Sequence, residues 1–456
     1  MAQAQEHRSR GCFSDPLPGE VVSDPDSDPD SEPDSDMFCC HRVQDSLLSS
    51  ASRFTDYRGI LNWIIILLVL THAHLFLENF IQHGFLIDLW KVLEHLIEDE
   101  WPSAYLIMAA NVFSLAALLL ERCQDMGRIS SSMGHCLHLG NLVVLMLFPA
   151  AVILQCDTYI STAGALLSLC IYAVLGLKLY SYQEANSWYR QEQVRSPGIR
   201  HCISQENGER TDHLTLGDLY YFLLAPTLCY QRDFPRTPNV RFNFLLQRLL
   251  EMVILTQLMV GIMQQWIGPL FQRSGSCFTT MDVTMRIEHL VELVAPNHFL
   301  WLILFFLFSH SCLNFSGELL RFGDRHFYGD WWNADTLKSF WRKLNVPFHK
   351  WSHRHLYTPL LRKRVLPRHA ELLAFLLSAA LCEYVVALPL RTWRLWIFFI
   401  MMLELLVAVF LGRYFTGNYG NGLVWLCLLM GPPLAVMTYF HDHYISHRGE
   451  PPLTLY

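Results

Sequence analysis

Trp396-Ile397-Phe398-Phe399-Ile400-Met401-Met402-Leu403-Glu404-Leu405-Leu406-Val407-Ala408-Val409-Phe410-Leu411 is a run of apolar side chains interrupted by one acid. It has no polar stripe to turn toward water, so a surface helix of a soluble domain is excluded and a membrane helix is indicated. The run belongs to a candidate span from Trp393 to Leu411, and eight more recur along the chain. They lie near Ile60 to Phe80, Ala104 to Leu120, Leu139 to Leu154, Ile160 to Tyr180, Leu249 to Trp266, His298 to Leu313, Glu371 to Leu388 and Leu423 to Tyr439. A hydrocarbon core ~30 Å thick takes about 20 apolar residues per helix. The predicted fold class is therefore all-α, a polytopic integral membrane protein with about nine transmembrane helices. A composition of 52% hydrophobic and 16% charged residues excludes an ordinary soluble enzyme.

Residues 1–57 differ in kind from the rest of the chain. Their centre, Ser23-Asp24-Pro25-Asp26-Ser27-Asp28-Pro29-Asp30-Ser31-Glu32-Pro33-Asp34-Ser35-Asp36, carries acids and repeated prolines with nothing to bury. A disordered, solvated tail is expected, with acid-directed serine phosphorylation as the functional alternative. This tail supplies much of the formal charge of -7. It holds no apolar core of a cleavable signal, so the first span is expected to direct insertion. Lysines and arginines gather between Tyr180 and Arg241 and between Arg321 and Arg368, which places those loops and the N-terminus on the cytosolic face and the tail 446–456 in the lumen. Ser181 to Thr215, with Pro197, Gly198 and Gly208, reads as a flexible loop in which Glu206, Asn207 and Glu209 carry no recognisable chemistry. Thirteen cysteines show no CxxC pair. Those within apolar runs read as small packed residues, and the adjacent Cys39 and Cys40 as acylation candidates.

Phe327-Tyr328-Gly329-Asp330-Trp331-Trp332-Asn333, with Asn345, Pro347, His349, Lys350 and Trp351 after it, is the most distinctive stretch. It resembles the F-Y-x-D-W-W-N signature of the membrane-bound O-acyltransferase family, in the branch that esterifies diacylglycerol or sterol from acyl-CoA. The resemblance continues through Cys40-His41-Arg42-Val43-Gln44-Asp45-Ser46, Tyr57-Arg58-Gly59-Ile60-Leu61-Asn62-Trp63, Tyr221 to Tyr230, Ala295-Pro296-Asn297-His298 and Gly417-Asn418-Tyr419-Gly420-Asn421. It covers residues 39 to 445 and is closest to the diacylglycerol enzymes. It implies a membrane domain over 58–445, with helices around an intramembrane reaction chamber open to the cytosol for acyl-CoA and to the bilayer for a lipid alcohol. It further implies the endoplasmic reticulum, triacylglycerol synthesis, a homodimer or homotetramer paired through the segment before the first span, and no metal or redox cofactor, acyl-CoA being a co-substrate. By the same resemblance Asn345 is catalytic, and Phe327, Tyr328, Asp330, Trp331, Trp332, Asn333 and His349 shape the substrate entrance. Interfacial anchoring is the structural alternative for Trp331 and Trp332.

Acyl transfer from a thioester to an alcohol needs a base for the hydroxyl proton and hydrogen bonds for the developing oxyanion. Ionisable residues inside apolar helices are the places to look. Glu383 and Glu404 are two of them. In the resembled branch a His-Glu-Tyr triplet supplies the base, whereas this chain has Cys382-Glu383-Tyr384. A thiol with a reference pKa of about 8.5 is a poor general base at neutral pH. Cys382 is left with two readings, a silent packed residue or a nucleophile that takes the acyl group, and no histidine lies within one helical turn to activate it. Glu404 and Pro432 stand where the branch has glutamines, and Glu404 is a possible substitute base. The residues allow two functions: an acyl-CoA-dependent O-acyltransferase, or a silent homologue that binds lipid or acyl-CoA and regulates an active subunit. A transporter lacks the expected repeats.

Phe340 to Leu366 interleaves Trp341, Phe348, Trp351 and Tyr357 with Arg342, Lys343, Lys350, Arg354, Arg362, Lys363 and Arg364. An interfacial amphipathic element suited to coenzyme A phosphates or anionic headgroups, and plain positive-inside topology, both fit. The flanking spans exclude a nucleic-acid surface. Asn314-Phe315-Ser316 is a sequon whose predicted cytosolic placement argues against glycosylation.

Overall fold

The computed structural model describes residues 81, 101–155, 160–195, 214–273, 280–412 and 414–446, and among them the chain is helical with no strand. Its helices are α1 (Trp101–Asp125), α2 (Ser131–Gln155), α3 (Thr162–Arg195), α4 (Leu216–Leu224), α5 (Phe242–Ile262), α6 (Gly268–Arg273), α7 (Val283–Phe305) and α8 (Leu313–Leu319). Beyond these come α9 (Leu337–Leu344), α10 (Val346–Ser352), α11 (Thr358–Arg362), α12 (Pro367–Ala387), α13 (Trp396–Phe410), α14 (Gly417–Met430) and α15 (Pro432–Ser446). Turns of π-helix at Met263–Ile267 and Phe306–Cys312 join α5 to α6 and α7 to α8 into continuous rods. Seven helical segments are long and apolar enough to cross a membrane, and α13 is a shorter eighth. These match the expected spans after the first. The expected span Ile60 to Phe80, the acidic tail and the pair Cys39 and Cys40 lie outside the described residues.

The packing is that of a protein dissolved in lipid. On α1 the buried face is Ser103, Leu106, Ala110, Ser114 and Ala117, whereas Tyr105, Met108, Val112, Leu115 and Leu119 point outward. Small and weakly polar residues let backbones approach, and large apolar ones meet acyl chains. α1, α2 and α3 pack as one group around Leu145, Leu169 and Tyr172, and the Tyr172 hydroxyl donates to Leu106 O at 2.8 Å. α12 joins this group through Tyr384, whose hydroxyl donates to Met146 O at 2.7 Å.

Three expectations are corrected. Ser181 does not open a loop, because α3 continues to Arg195. Its polar residues are paired inside the protein: Arg190 bonds Glu121 and Gln124, and Ser181 Oγ accepts from Tyr230 N at 2.8 Å and meets His355 Nε2 at 2.8 Å. The rest of the predicted loop, including Glu206, Asn207 and Glu209, lies outside the described residues. The last span is not one helix but two, broken at Gly431, since Pro432 and Pro433 cannot donate to the preceding turn and instead open α15. None of the seven described free cysteines is fully buried, and Cys136, Cys170 and Cys382 are exposed, so the packed-core reading fails for them. The sequon Asn314 lies on α8 with its amide donating to His310 O at 2.8 Å.

Candidate functional site

The signature run is a short extended segment pinned at many points. Gly329 N donates to Lys343 O at 2.7 Å and Val346 N to Phe327 O at 3.1 Å, which docks it along α9 and the start of α10. Asn421 Nδ2 donates to Trp332 O at 2.9 Å and Ala334 O at 2.8 Å, tying it to α14. Trp331 is buried among Trp301, Phe305, Trp332, Phe340 and Trp425, with ring centroids 5.1–6.0 Å away. Trp332 and Asn333 are exposed and Phe327 is buried. Asp330 pairs with Lys343 at 2.9 Å, and that ammonium holds its carboxyl below the usual range. The Tyr328 hydroxyl meets His310 Nδ1 at 2.6 Å, and Arg248 reaches the other ring nitrogen from α5 while bonding Glu251 at 2.7 Å. Arginine is only a donor, so Nε2 of a neutral His310 accepts and Nδ1 carries the proton toward Tyr328.

Asn345 serves as the N-cap of α10, its Oδ1 accepting from Phe348 N at 3.1 Å. His349, one turn later, is half-buried; burial first, then Arg342, His353 and Lys338, pushes its imidazole down. The amphipathic expectation for this stretch is met on α9, where Leu337 and Phe340 are buried while Lys338 and Arg342 are exposed.

The neighbours Cys382 and Glu383 point to different places. Glu383 is buried and both its oxygens are used: Oε1 accepts from the Tyr439 hydroxyl at 2.5 Å and Oε2 from Phe398 N at 3.1 Å. Tyr439 Oη in turn accepts from Trp396 N at 2.9 Å. A carboxyl on α12 and a phenol on α15 thus cap α13, whose own preceding residue, Leu395, has φ 57° and gives no side-chain cap. Capping relieves orphan amides and suits the helix dipole. Cys382, by contrast, has an exposed side chain. Cys170 on α3 is the other thiol within electrostatic reach. Glu404 sits elsewhere in the bundle, bonded by the Trp341 indole and beside Cys427 and Gly431. The two departures at 404 and 432 are therefore spatial neighbours, since a Cβ on Gly431 would strike Glu404 Oε1.

Sequence reasoning missed Cys170 and Tyr439, which carried no signal within long apolar runs. It also missed Arg248, Glu251 and His310, which the rule that singles out ionisable residues in spans would have found.

A profile of the membrane-bound O-acyltransferase family matches residues 213–441. The chain is 46% identical over 418 residues to diacylglycerol O-acyltransferase 1 of Homo sapiens, covering 90% of this chain and 86% of that one. The Bos taurus protein of the same name is 46% identical over 422 residues, with coverage of 90% and 86%. Diacylglycerol O-acyltransferase 1C of Glycine max is 35% identical over 425 residues, with coverage of 90% and 80%. With a signature pinned to its own helices and likeness along nine-tenths of its length, the chain belongs to the membrane-bound O-acyltransferase family.

Proposed function

We propose that this protein is an acyl-CoA-dependent O-acyltransferase that esterifies diacylglycerol to triacylglycerol. The observation that carries the reading is the likeness at 46% identity to diacylglycerol O-acyltransferase 1 across 90% of the chain. In the reaction the alcohol oxygen bonds the thioester carbon, the carbon–sulfur bond breaks, and the hydroxyl proton ends on coenzyme A. Acyl-CoA is a co-substrate and no resident cofactor is invoked. The acyl-CoA entrance includes the surface of Tyr328, Asp330, Trp332, Asn333, Asn345 and His349, with Phe327 and Trp331 fixing it from within. Cys382 lines the reaction chamber, Glu383 holds the chamber wall through α13, and Glu404 is the alternative base. The protein resides in the endoplasmic reticulum with its N-terminus and basic loops in the cytosol, and works as a homodimer or homotetramer.

One observation favours a second reading. Cys382 has a second thiol, Cys170, and the carboxyl of Glu383 as electrostatic neighbours and no imidazole among them, which suits a silent homologue that binds acyl-CoA or lipid and regulates an active subunit. The deciding experiment is transfer from radiolabelled oleoyl-CoA to diacylglycerol in membranes of cells lacking their own triacylglycerol synthesis, with the natural chain, Cys382→His and Cys382→Ala. Activity in the natural chain that disappears in Cys382→Ala makes the thiol a working residue. Activity only in Cys382→His overturns the transferase reading and leaves the silent one.

A further inference from the structure

An arginine, a glutamate and a histidine of two membrane spans meet behind Tyr328 of the signature. Arg248 and Glu251 are one turn apart on α5, and Arg248 is 8% exposed. Arg248 Nη1 donates to Glu251 Oε2 at 2.7 Å and to His310 Nε2. Ser311 Oγ donates to the same carboxylate oxygen at 3.1 Å, and Gln247 Nε2 reaches the other at 3.4 Å. His310 and Ser311 sit in the π turn Phe306–Cys312, which packs on α5. Adjacent side chains of an α-helix point about 100° apart. The wider i→i+5 turn lets both residues meet the Arg248–Glu251 pair, which gives this bulge a purpose. Ionisable groups inside a span are costly and mark function where they are retained.

The bonding runs in one direction. A guanidinium only donates, so His310 Nε2 accepts and Nδ1 carries the proton, which goes to Tyr328 Oη at 2.6 Å. The phenol oxygen thus accepts, and its own proton has no acceptor among the described residues. Tyr328 is half-buried, its ring edge-on to Phe305 with 5.2 Å between centroids. Accepting from an imidazole N–H strengthens the phenol as a donor, because bonds in a chain polarise one another. The set carries no net charge, since Arg248 and Glu251 cancel and the other two are neutral. It suits a carbonyl oxygen and not a phosphate, which calls for an unpaired cation. The same bonds remove His310 as a substitute base: Nε2 faces a cation and Nδ1 already holds a proton.

We propose that Arg248, Glu251 and His310 are positioning residues for Tyr328, committing its oxygen to accept so that its hydroxyl proton is donated to a carbonyl oxygen of acyl-CoA bound at the signature. This rests on the acyl-CoA reading of the entrance. Two kinds of carbonyl are available on that ligand, the thioester and the pantetheine amides.

The test is equilibrium binding by the purified full-length protein in lipid nanodiscs, with empty nanodiscs as blank. The probes are radiolabelled oleoyl-CoA and its thioether analogue, which lacks the thioester carbonyl. No lipid alcohol is added, so binding is read without transfer. Tyr328→Phe removes one hydrogen bond and is expected to raise Kd about three- to tenfold. His310→Leu is expected to raise it by a similar factor, and both substitutions together no further than either alone, because the two residues act through one bond. His310→Asn, whose amide N–H stands where Nδ1–H stood, is expected to return Kd close to that of the natural chain. Arg248→Met with Glu251→Met, which removes the ion pair as a unit, is expected to raise Kd as well. All variants are compared as folded protein, by size exclusion and thermal unfolding. A loss with oleoyl-CoA alone assigns the thioester carbonyl as acceptor, and an equal loss with both probes assigns a pantetheine amide; either supports the proposal. An unchanged Kd in Tyr328→Phe or in the paired variant overturns it. So does a double variant whose effects multiply, or His310→Asn no better than His310→Leu, since His310 then supports the fold and not the phenol. A natural chain that binds neither probe removes the acyl-CoA reading and the proposal with it, a result distinct from tight binding that ignores Tyr328.

Discussion

The signature platform and the surroundings of Cys382 and Glu404 are built differently. Around Phe327–Asn333 many backbone and side-chain groups have a partner, with amides bonded at Lys343 and Phe327, carbonyls to Asn421 and a carboxylate to Lys343, and the Trp331 ring lies among five aromatic rings although its Nε1 has no hydrogen-bond partner among the described residues. At Cys382 and Glu404 the chain is left open, one thiol exposed and one carboxyl oxygen without a partner among the described residues. Residues that hold a shape have most of their groups packed or bonded, whereas residues that meet a ligand keep valence to spare. The signature therefore reads first as architecture, and the departures from the branch pattern fall where the structure has kept its freedom.

That contrast is broken or kept by a pair of substitutions. Trp331→Ala removes the centre of an aromatic cluster and is expected to cost about 3–5 kcal/mol, with loss of the folded peak in size-exclusion and thermal-unfolding assays. Cys382→Ala, at an open side chain, is expected to stay within about 0.5 kcal/mol of the natural chain in the same assays. Similar losses in both would mean that Cys382 is packed and not open. Glu383→Ala strips one helix amide, Phe398 N, and the Tyr439 phenol of their acceptor, at about 2–3 kcal/mol. Glu383→Gln, which keeps one acceptor, is expected to recover most of it. If Glu383 worked chiefly in catalysis, both variants would unfold like the natural chain and differ only in turnover.

His355 sharpens the same comparison through pH. It lies outside the spans, buried against α3, stacked on Trp188 with 5.4 Å between centroids and also in contact with Tyr180, Trp351 and Ser181. Burial, with Arg354 beside it, pushes the imidazole down to about 3. In the unfolded chain a histidine takes up its proton near pH 6.5. Between those values the unfolded state binds the extra proton, so stability is full above pH 6.5 and falls as pH drops toward 3, by at most about 1.4 kcal/mol per pH unit from this group. Thermal unfolding between pH 7.5 and 5 should show this slope, and His355→Phe should flatten it. An unchanged slope in the variant would assign the effect to other groups.

Much of this architecture was legible because lipid imposes a simple grammar. Every span after the first was found from apolar length alone, and the break at Gly431 was written in Pro432 and Pro433 as well. Ser181 to Arg195 was misread because polar residues signal solvent in a short window, while here Glu121, Tyr230 and His355 were waiting on distant segments to bond them. The site was legible as chemistry but not as geometry. Cys382 and Glu383 are adjacent in sequence, and only the direction of each side chain separates an exposed thiol from a helix cap. Glu404 stood out as a lone acid, yet nothing in its own span announced Trp341.

Asn345 is the place where the two principles meet, since the resemblance gives it a catalytic role while its carboxamide oxygen caps α10. Losing a cap of this kind costs about 1 kcal/mol, the smallest effect considered, and aspartate caps as well as asparagine does. Asn345→Ala is therefore expected to lower stability by about 1 kcal/mol and Asn345→Asp to restore it. Activity supplies the separation. If the amide acts only by holding His349 and the entrance helix in place, Asn345→Asp recovers turnover together with stability. If its Nδ2–H donates to the reacting acyl group, Asn345→Asp stays stable and inactive, because a carboxylate has no proton to offer the carbonyl oxygen. Stability and turnover measured on the same two variants thus assign Asn345 either to the bonded platform or to the open chamber.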